Sequence, residues 1–230
     1  MKSALKKSAA ATAMCLAAIG AVHAATYSAA TTGPYTAKTD FTVCSGGPCQ
    51  NYTLAMTPSG SFTTSAPLAA NLSNANIAAQ ITSFSFNDGI NTFASTDPNV
   101  RIFQAIVSTS ATGSITSSAL LLELWQTGTS PHAVGDKVAL IQIGNSVFAT
   151  NTLNCTGVGT SPAGAADSCV AGPGDIGASN ASGAAWTWAA VTPPATAATP
   201  VPSTSALGLL VLSALLGGAG LAISRRNRNA

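Results

Sequence analysis

Charged side chains are scarce in this chain: Asp, Glu, Lys and Arg together make up 7% of its 230 residues. Six of the nine cations lie near the two ends, so the region between them has three cations against seven carboxylates, and 3 − 7 gives a charge of −4. Neutralising a polyphosphate requires clustered Lys and Arg. The composition therefore argues against nucleic acid as a partner, and its wealth of Ser, Thr, Asn, Ala and Gly favours hydroxyl-rich β surfaces of an exported protein.

Residues that carry catalysis are equally scarce. Away from the ends, the chain has one histidine, His132, and one glutamate, Glu123. No Gly-x-Ser-x-Gly elbow is present, and the Ser-x-x-Lys spacing occurs only in the first residues. His132 follows Pro131 in a Gly/Ser/Thr-rich turn, where we expect a solvated side chain. We predict a non-enzymatic protein with no catalytic residue, no cofactor and no metal centre.

Residues 1–24 have the organisation of a secretory signal peptide. A segment with three lysines precedes an apolar stretch from about Ala9 to Val22. Val22-His23-Ala24 then places small residues where signal peptidase requires them. We predict cleavage after Ala24, with cleavage after Ala25 as the alternative.

Residues 205–230 form a candidate membrane-spanning segment. The stretch from Ala206 to Ser224 has no charge, and a helix over it would reach roughly 28 Å, close to the hydrocarbon thickness of a bilayer. Arg225, Arg226 and Arg228 follow it, and the positive-inside rule keeps them cytoplasmic. The upstream domain is then exported across the inner membrane, which agrees with the signal peptide.

The C-terminal tail has three parts: a Pro/Ala/Thr linker at 191–204, the apolar segment and the basic stop. From Val201 and Pro202 to the end, it resembles the PEP-CTERM and IPTL-CTERM sorting signals of Gram-negative bacteria, although its Pro202-Ser203-Thr204 entry matches neither signature. The resemblance implies that an exosortase-like sorting protease recognises the tail and that the protein is displayed at the cell surface or released from it. It also implies extracellular polysaccharide as a partner. A permanent membrane anchor is the alternative.

Residues 25–190 contain short β-rich runs separated by turn residues, which predicts an all-β ectodomain, a jelly-roll-like β-sandwich, between the signal helix and the transmembrane helix. Two runs, Arg101–Val107 and Leu120–Trp125, are apolar on both parities and are expected as central strands. The Asn-rich stretch Leu68–Gln80 is expected to be a loop. The candidate strands are Tyr35–Val43, Tyr52–Met56, Ser61–Thr64, Ile81–Phe86, Arg101–Ser108, Ser114–Trp125, Lys137–Ile143 and Ser146–Ala149.

Four cysteines remain after the signal peptide: Cys44, Cys49, Cys155 and Cys169. An even number in an oxidising compartment favours two local disulfides, Cys44 with Cys49 and Cys155 with Cys169, among three possible connectivities. A zinc site is the alternative, but the second pair lacks the spacing of a zinc knuckle.

Two groups of side chains could bind a ligand. Asn87, Asp88, Asn91, Asp97 and Asn99 concentrate oxygen atoms suited to calcium, although the same residue types favour turns without any ion. Aromatic side chains could stack on sugar rings, but burial in the hydrophobic core is the simpler explanation for them. The aromatic candidates are Tyr52, Trp125, Trp186 and Trp188, of which the last two share one face of a final strand.

These observations lead to two hypotheses about function. The first is a structural protein of the cell envelope or extracellular matrix, sorted or anchored through its C-terminal segment. The alternative is a lectin-like module that binds exopolysaccharide through Trp186, Trp188 and the Asn/Asp turn at 87–99.

Overall fold

The structure is a computed structural model that describes residues 23–44, 46–172 and 178–191. The predicted signal peptide, apart from its last two residues, lies outside these ranges, as do residues 192–230 with the linker and the candidate membrane-spanning segment. Within the described ranges, no helix is long and apolar enough to cross a membrane.

The described part is all-β, with one short 3-10 turn at Ala78–Gln80. The strands are β1 (Ala25–Thr32), β2 (Ala37–Thr39), β3 (Ser59–Thr64), β4 (Ala75–Asn76), β5 (Ile81–Asn87), β6 (Thr92–Ala94), β7 (Val100–Thr109), β8 (Ile115–Trp125), β9 (Lys137–Ile143), β10 (Ser146–Asn154), β11 (Gly157–Gly159), β12 (Ser168–Ala171) and β13 (Ser179–Val191).

One large antiparallel sheet contains eleven of these strands, in the order β4-β7-β8-β9-β10-β13-β1-β3-β5-β6, with β2 also beside β13. The strands β11 and β12 form a separate pair. Strand β13 joins two groups, since its first half pairs with β10 and its second half with β1. We call β4 and β7–β10 the long-strand layer and β1, β3, β5 and β6 the hydroxyl layer.

A β-bulge at Gly183 marks the middle of β13. The register with β10 shifts there, because Val147 pairs with Ala184 and Phe148 with Ser182. Gly183 has a φ of +82°, and a Cβ atom at this position would collide with the Thr36 side chain. Glycine is therefore required at this bulge, shortly before β13 begins to pair with β1 at Trp186.

The inward side chains of both layers form one core, which is consistent with a β-sandwich. Its largest fully buried members include Phe62, Phe86 and Phe93 from the hydroxyl layer and Leu122, Ile141 and Ile143 from the long-strand layer.

A second, smaller core covers the other face of β8 and β9. It contains Trp125 and Val138 together with Cys155 and Cys169 of the segment that carries β11 and β12. This segment explains why β8 is apolar on both parities. Strand β8 is central, as predicted, whereas β7 is bordered on its other side, within the described ranges, only by the two-residue β4.

The strands predicted at 61–64, 81–86, 101–108, 114–125, 137–143 and 146–149 correspond to β3, β5, β7, β8, β9 and β10, within a few residues. The prediction at Tyr35–Val43 was wrong except for β2, and Tyr52–Met56 is not a strand. Both segments cover the end of the core, where Tyr35 and Tyr52 are buried and the Met56 amide bonds back to the Thr53 carbonyl in a turn.

The segment from Leu68 to Gln80 is mostly irregular, apart from β4 and the 3-10 turn. Strand β1 was not predicted, because its Ala/Thr-rich sequence has little apolar contrast between its two faces. The disulfides Cys44–Cys49 and Cys155–Cys169 are both present, each with 5.7 Å between Cα atoms.

Candidate functional site

Polar side chains from three parts of the chain meet at Asp167. Its Oδ2 atom accepts hydrogen bonds from His132 Nδ1 at 2.8 Å and from Arg101 Nη2 at 3.2 Å. Its Oδ1 atom accepts the His132 backbone N–H at 2.7 Å. Burial alone would raise the pKa of Asp167, but the hydrogen bonds from His132 and Ser130 outweigh it and lower the pKa to about 2.

The His132 side chain is fully buried, so the prediction of a solvated histidine was wrong. Its ring stacks on the indole of Trp125, with the ring centroids 4.3 Å apart and the planes 3° from parallel. The Trp125 Nε1–H donates to the Asp167 carbonyl at 2.8 Å. Tertiary packing of the disulfide-closed segment against β8 covers the ring, which local turn composition does not reveal.

Glu123 lies beside this cluster and is 1% exposed. It is the cross-strand partner of Arg101, and its Oε2 atom accepts the Cys169 N–H at 3.2 Å. Burial raises the pKa of Glu123 to about 7, opposed by hydrogen bonds from Cys169 and Ser168 and by the charge of Arg101.

This cluster contains a His–Asp pair but, among the described residues, no nucleophile placed to use it. His132 Nε2, the ring nitrogen that Asp167 does not hold, is buried and has no hydrogen-bond partner there. A general base must lie within hydrogen-bond reach of the proton that it removes. The geometry therefore offers no basis for a Ser-His-Asp mechanism.

The cluster instead fastens the segment 161–168 to β7 and β8. Arg101 Nε donates to the Ala166 carbonyl at 3.2 Å, and Ser161 Oγ donates to the Ile102 carbonyl at 3.2 Å. The Ala163 N–H donates to the Phe103 carbonyl at 3.0 Å. We call the side chains of Arg101, Glu123, His132 and Asp167 the polar clamp.

The Asn/Asp turn contains the buried carboxylate of Asp88. Its Oδ1 atom accepts the backbone N–H groups of Ile90 and Asn91 at 2.8 and 2.6 Å. Its Oδ2 atom accepts the Tyr52 hydroxyl at 2.6 Å and the Asn91 amide at 3.1 Å. Burial raises the pKa of Asp88, and burial together with the Asp88 charge raises the pKa of Tyr52 well above its usual range.

These contacts favour the turn interpretation of the segment, because N–H and O–H donors already bond to both carboxylate oxygens of Asp88. Asn87 Oδ1 accepts the Gly89 N–H, and Asp97 Oδ1 accepts the Asn99 N–H, as in ordinary Asx turns. Within the described part of the chain, no group of three His, Cys, Asp or Glu side chains could hold a metal ion.

Three of the four aromatic candidates are buried, and Trp188 is partly exposed. Tyr52 is completely buried and Trp125 belongs to the small core, so neither can stack on a sugar. Trp186 and Trp188 share the inner face of β13, with their ring centroids 5.4 Å apart and their planes at 69° in an edge-to-face arrangement. Trp186 is 3% exposed, whereas Trp188 is half-buried.

A groove of about 300 Å³ lies against these two indoles. The Asn/Asp turn at 87–99 is not among the residues that line this groove. We call it the tryptophan groove, and its lining residues are Ile115, Thr116, Ser117, Ser118, Asn145, Trp186, Thr187 and Trp188.

No relative identifies this geometry. The chain matches no protein-family model, and it has no significant match among curated proteins or solved structures.

Two other grooves are less suited to a ligand. One of about 390 Å³ is bordered by Arg101, but the guanidinium already donates to Pro98, Val100, Ala166 and Asp167. The other, of about 340 Å³, is a shallow depression on the hydroxyl layer, lined mainly by Ser and Thr.

Proposed function

We propose that this chain is an exported, non-enzymatic structural protein of the cell envelope or extracellular matrix. The observation that carries the proposal is the polar clamp: the acidic, basic and imidazole groups that could serve catalysis are engaged in holding the fold together. Two disulfides support an oxidising compartment. A jelly-roll-like sandwich and two terminal helices, one for export and one for the membrane, belong to the same proposal.

The start of the fold supports signal cleavage after Ala24. Strand β1 begins at Ala25, which pairs with Thr64 and is 6% exposed. The Ala25 carbonyl accepts the Thr64 hydroxyl at 3.3 Å. Cleavage after Ala24 leaves β1 whole, whereas cleavage after Ala25 removes a paired residue.

For the other end, we propose that residues 205–230 bring the protein to the membrane and that an exosortase-like protease reads the segment that begins at Val201 and Pro202. Arg225, Arg226 and Arg228 would hold the end of the chain in the cytoplasm until processing. The support is the tripartite sequence pattern, since these residues lie outside the described ranges.

The test is the intact mass of the protein recovered from its native cells, by fraction. We expect a mass that begins at Ala25 and lacks everything after about Pro202. A mass that ends at Ala230 in the membrane fraction would establish a permanent anchor instead. A full-length cytosolic protein that begins at Met1 would overturn export altogether.

One observation favours a second candidate, a lectin-like module. The tryptophan groove combines two indoles with hydroxyl and amide groups, which is the chemistry of a sugar site. The exported protein would then contact exopolysaccharide directly.

A further inference from the structure

The tryptophan groove arises because the β9–β10 hairpin is shorter than the strands on either side of it. The hairpin turns at Gly144 and Asn145, and β8 pairs with β9 only from Leu120 onward. Strand β13 pairs with β10 only as far as Ala185. Residues 115–119 and 187–191 continue beyond the turn, and in the described structure neither has a partner strand on the side of the hairpin.

One hydrogen bond spans this opening. Trp188 Nε1 donates to Ser118 Oγ at 2.9 Å, and Ser118 Oγ donates onward to the Ile143 carbonyl at 3.2 Å. This hydrogen bond connects β13 to β8. It thereby reduces the length of unpaired strand edge with which an additional peptide strand could pair. The remaining space suits a compact ligand better than an extended one.

Trp186, one of the lining residues of the groove, has an unused hydrogen-bond donor. Trp186 Nε1 is buried and has no partner among the described residues. The Trp186 backbone N–H donates to the Asn145 carbonyl at 3.3 Å, which fixes the strand at the head of the groove. A buried donor without an acceptor is costly.

The chemistry of the lining identifies the ligand class. None of the residues that line the tryptophan groove is charged, so it offers no counter-ion to an anionic or cationic ligand. Its lining combines the two indole-bearing residues with Thr116, Ser117 and Thr187, which carry hydroxyls, and Asn145, which carries an amide. Aromatic faces bordered by hydroxyl and amide groups match the apolar faces and equatorial hydroxyls of a pyranose ring.

We propose that the tryptophan groove binds one residue of an uncharged sugar. A volume of about 300 Å³ lies at the lower end of ligand sites, which fits a single ring or the end of a chain. The inference rests on the lectin-like candidate function and not on the sorting of the protein. If sugar binding fails, the intact-mass result is unaffected, so the two failures can be distinguished.

The experiment uses the full chain, purified in a detergent without a sugar headgroup and labelled with ¹⁵N at its three tryptophans. D-glucose, D-galactose, D-mannose and N-acetyl-D-glucosamine are titrated separately to well above about 1 mM, where even weak binding is visible. We expect at least one sugar to shift the indole N–H signals of Trp186 and Trp188. Trp125, whose indole N–H donates a hydrogen bond to the Asp167 carbonyl, is the internal control.

Two matched substitutions test the location. Ser117→Arg places a long side chain in the groove from an exposed position and should weaken binding by about tenfold or more. Ser83→Arg makes the same change at an exposed position of β5 in the hydroxyl layer and should leave binding unchanged.

Three results would overturn the proposal. The first is that none of the four sugars moves the Trp186 or Trp188 signal. The second is that Ser117→Arg binds as well as the unmodified chain, or that Ser83→Arg loses binding, which would place any sugar elsewhere. The third is that a synthetic peptide of residues 192–204 moves Trp188 while the sugars do not, since the groove would then receive a peptide strand.

Discussion

The two layers of this fold are stabilised by different means. The strands of the hydroxyl layer contain no charged residue, and their inner face relies on aromatic packing, such as Tyr27 on Phe62 at 5.2 Å and Phe62 on Trp188 at 5.2 Å. The long-strand layer carries Arg101 and Glu123, which join His132 and Asp167 in the polar clamp. Burial of apolar area is insensitive to pH, whereas buried ionisable groups make stability depend on it.

The largest effect is expected from the aromatic core of the hydroxyl layer. Phe62 is 1% exposed and contacts both Tyr27 and Trp188, so Phe62→Ala should lower the free energy of unfolding by about 3–5 kcal/mol. Phe148→Ala is the control, since Phe148 is 41% exposed and should cost less than about 1 kcal/mol. Chemical denaturation measures both, and equal effects would contradict the assignment of the core.

The next effect is the dependence of stability on pH. Burial raises the folded-state pKa of Glu123 from 4.5 to about 7, so its contribution is fully present below about pH 4.5 and is lost as pH rises through about 7. The loss is up to about 3 kcal/mol. Glu123→Gln should remove this part of the slope in denaturation curves measured between about pH 5 and pH 8.

The effect of Asp167 on the pH dependence of stability has the opposite sign, because the pKa of Asp167 is lowered from 3.8 to about 2. Its contribution is present above about pH 3.8 and is lost only as pH falls toward about 2. Above pH 5, the difference in stability between the unmodified chain and Glu123→Gln therefore reports the titration of Glu123 without a contribution from Asp167. An identical slope in the two proteins would refute the burial of a protonated glutamate.

A smaller loss is expected from breaking the polar clamp at its centre. Asp167→Asn keeps the shape but removes the charge that holds His132 and Arg101, and we expect a loss of about 2 kcal/mol. Asp40→Asn is the matched control, because the exposed Asp40–Lys38 pair should contribute less than about 1 kcal/mol. Thermal unfolding compares the two, and an equal effect would show that the clamp contributes no more than a surface pair.

The smallest effect is expected on the outer face of the hydroxyl layer. Thr26 Oγ1 and Thr63 Oγ1 lie 2.9 Å apart across β1 and β3. Thr63→Val keeps the branched shape favoured in strands and removes only this partly exposed hydrogen bond, so stability should change by less than about 0.5 kcal/mol. A loss above about 1 kcal/mol in chemical denaturation would show that the hydroxyl pairs contribute to stability.

Strands with a clear local sequence pattern were predicted correctly. Strands β5 and β7–β10 lie in apolar or alternating runs separated by turn residues, and the pattern identified them within a few residues. Strand β1 has no comparable contrast and was missed. Tyr52–Met56 has the composition of a strand, but the chain turns there because Tyr52 is drawn inward to Asp88.

The candidate site was less predictable. The pairing of Trp186 with Trp188 on one face of the final strand followed from alternation, and both do face inward. Their groove partners Ser118 and Asn145 could not be found, because they lie at least 40 residues away and their proximity depends on where the β9–β10 hairpin ends.

The sequence by itself determined the all-β class, most of the long strands and the local cysteine pairs, because alternation, turn residues and short loops are properties of neighbouring residues. Only the tertiary structure decided that His132 is buried, that Glu123 and Asp167 have opposite shifts in pKa, and that two tryptophans border an open groove. Each of these outcomes depends on contacts between distant segments, and the dielectric surroundings of a side chain do not exist until those segments have packed.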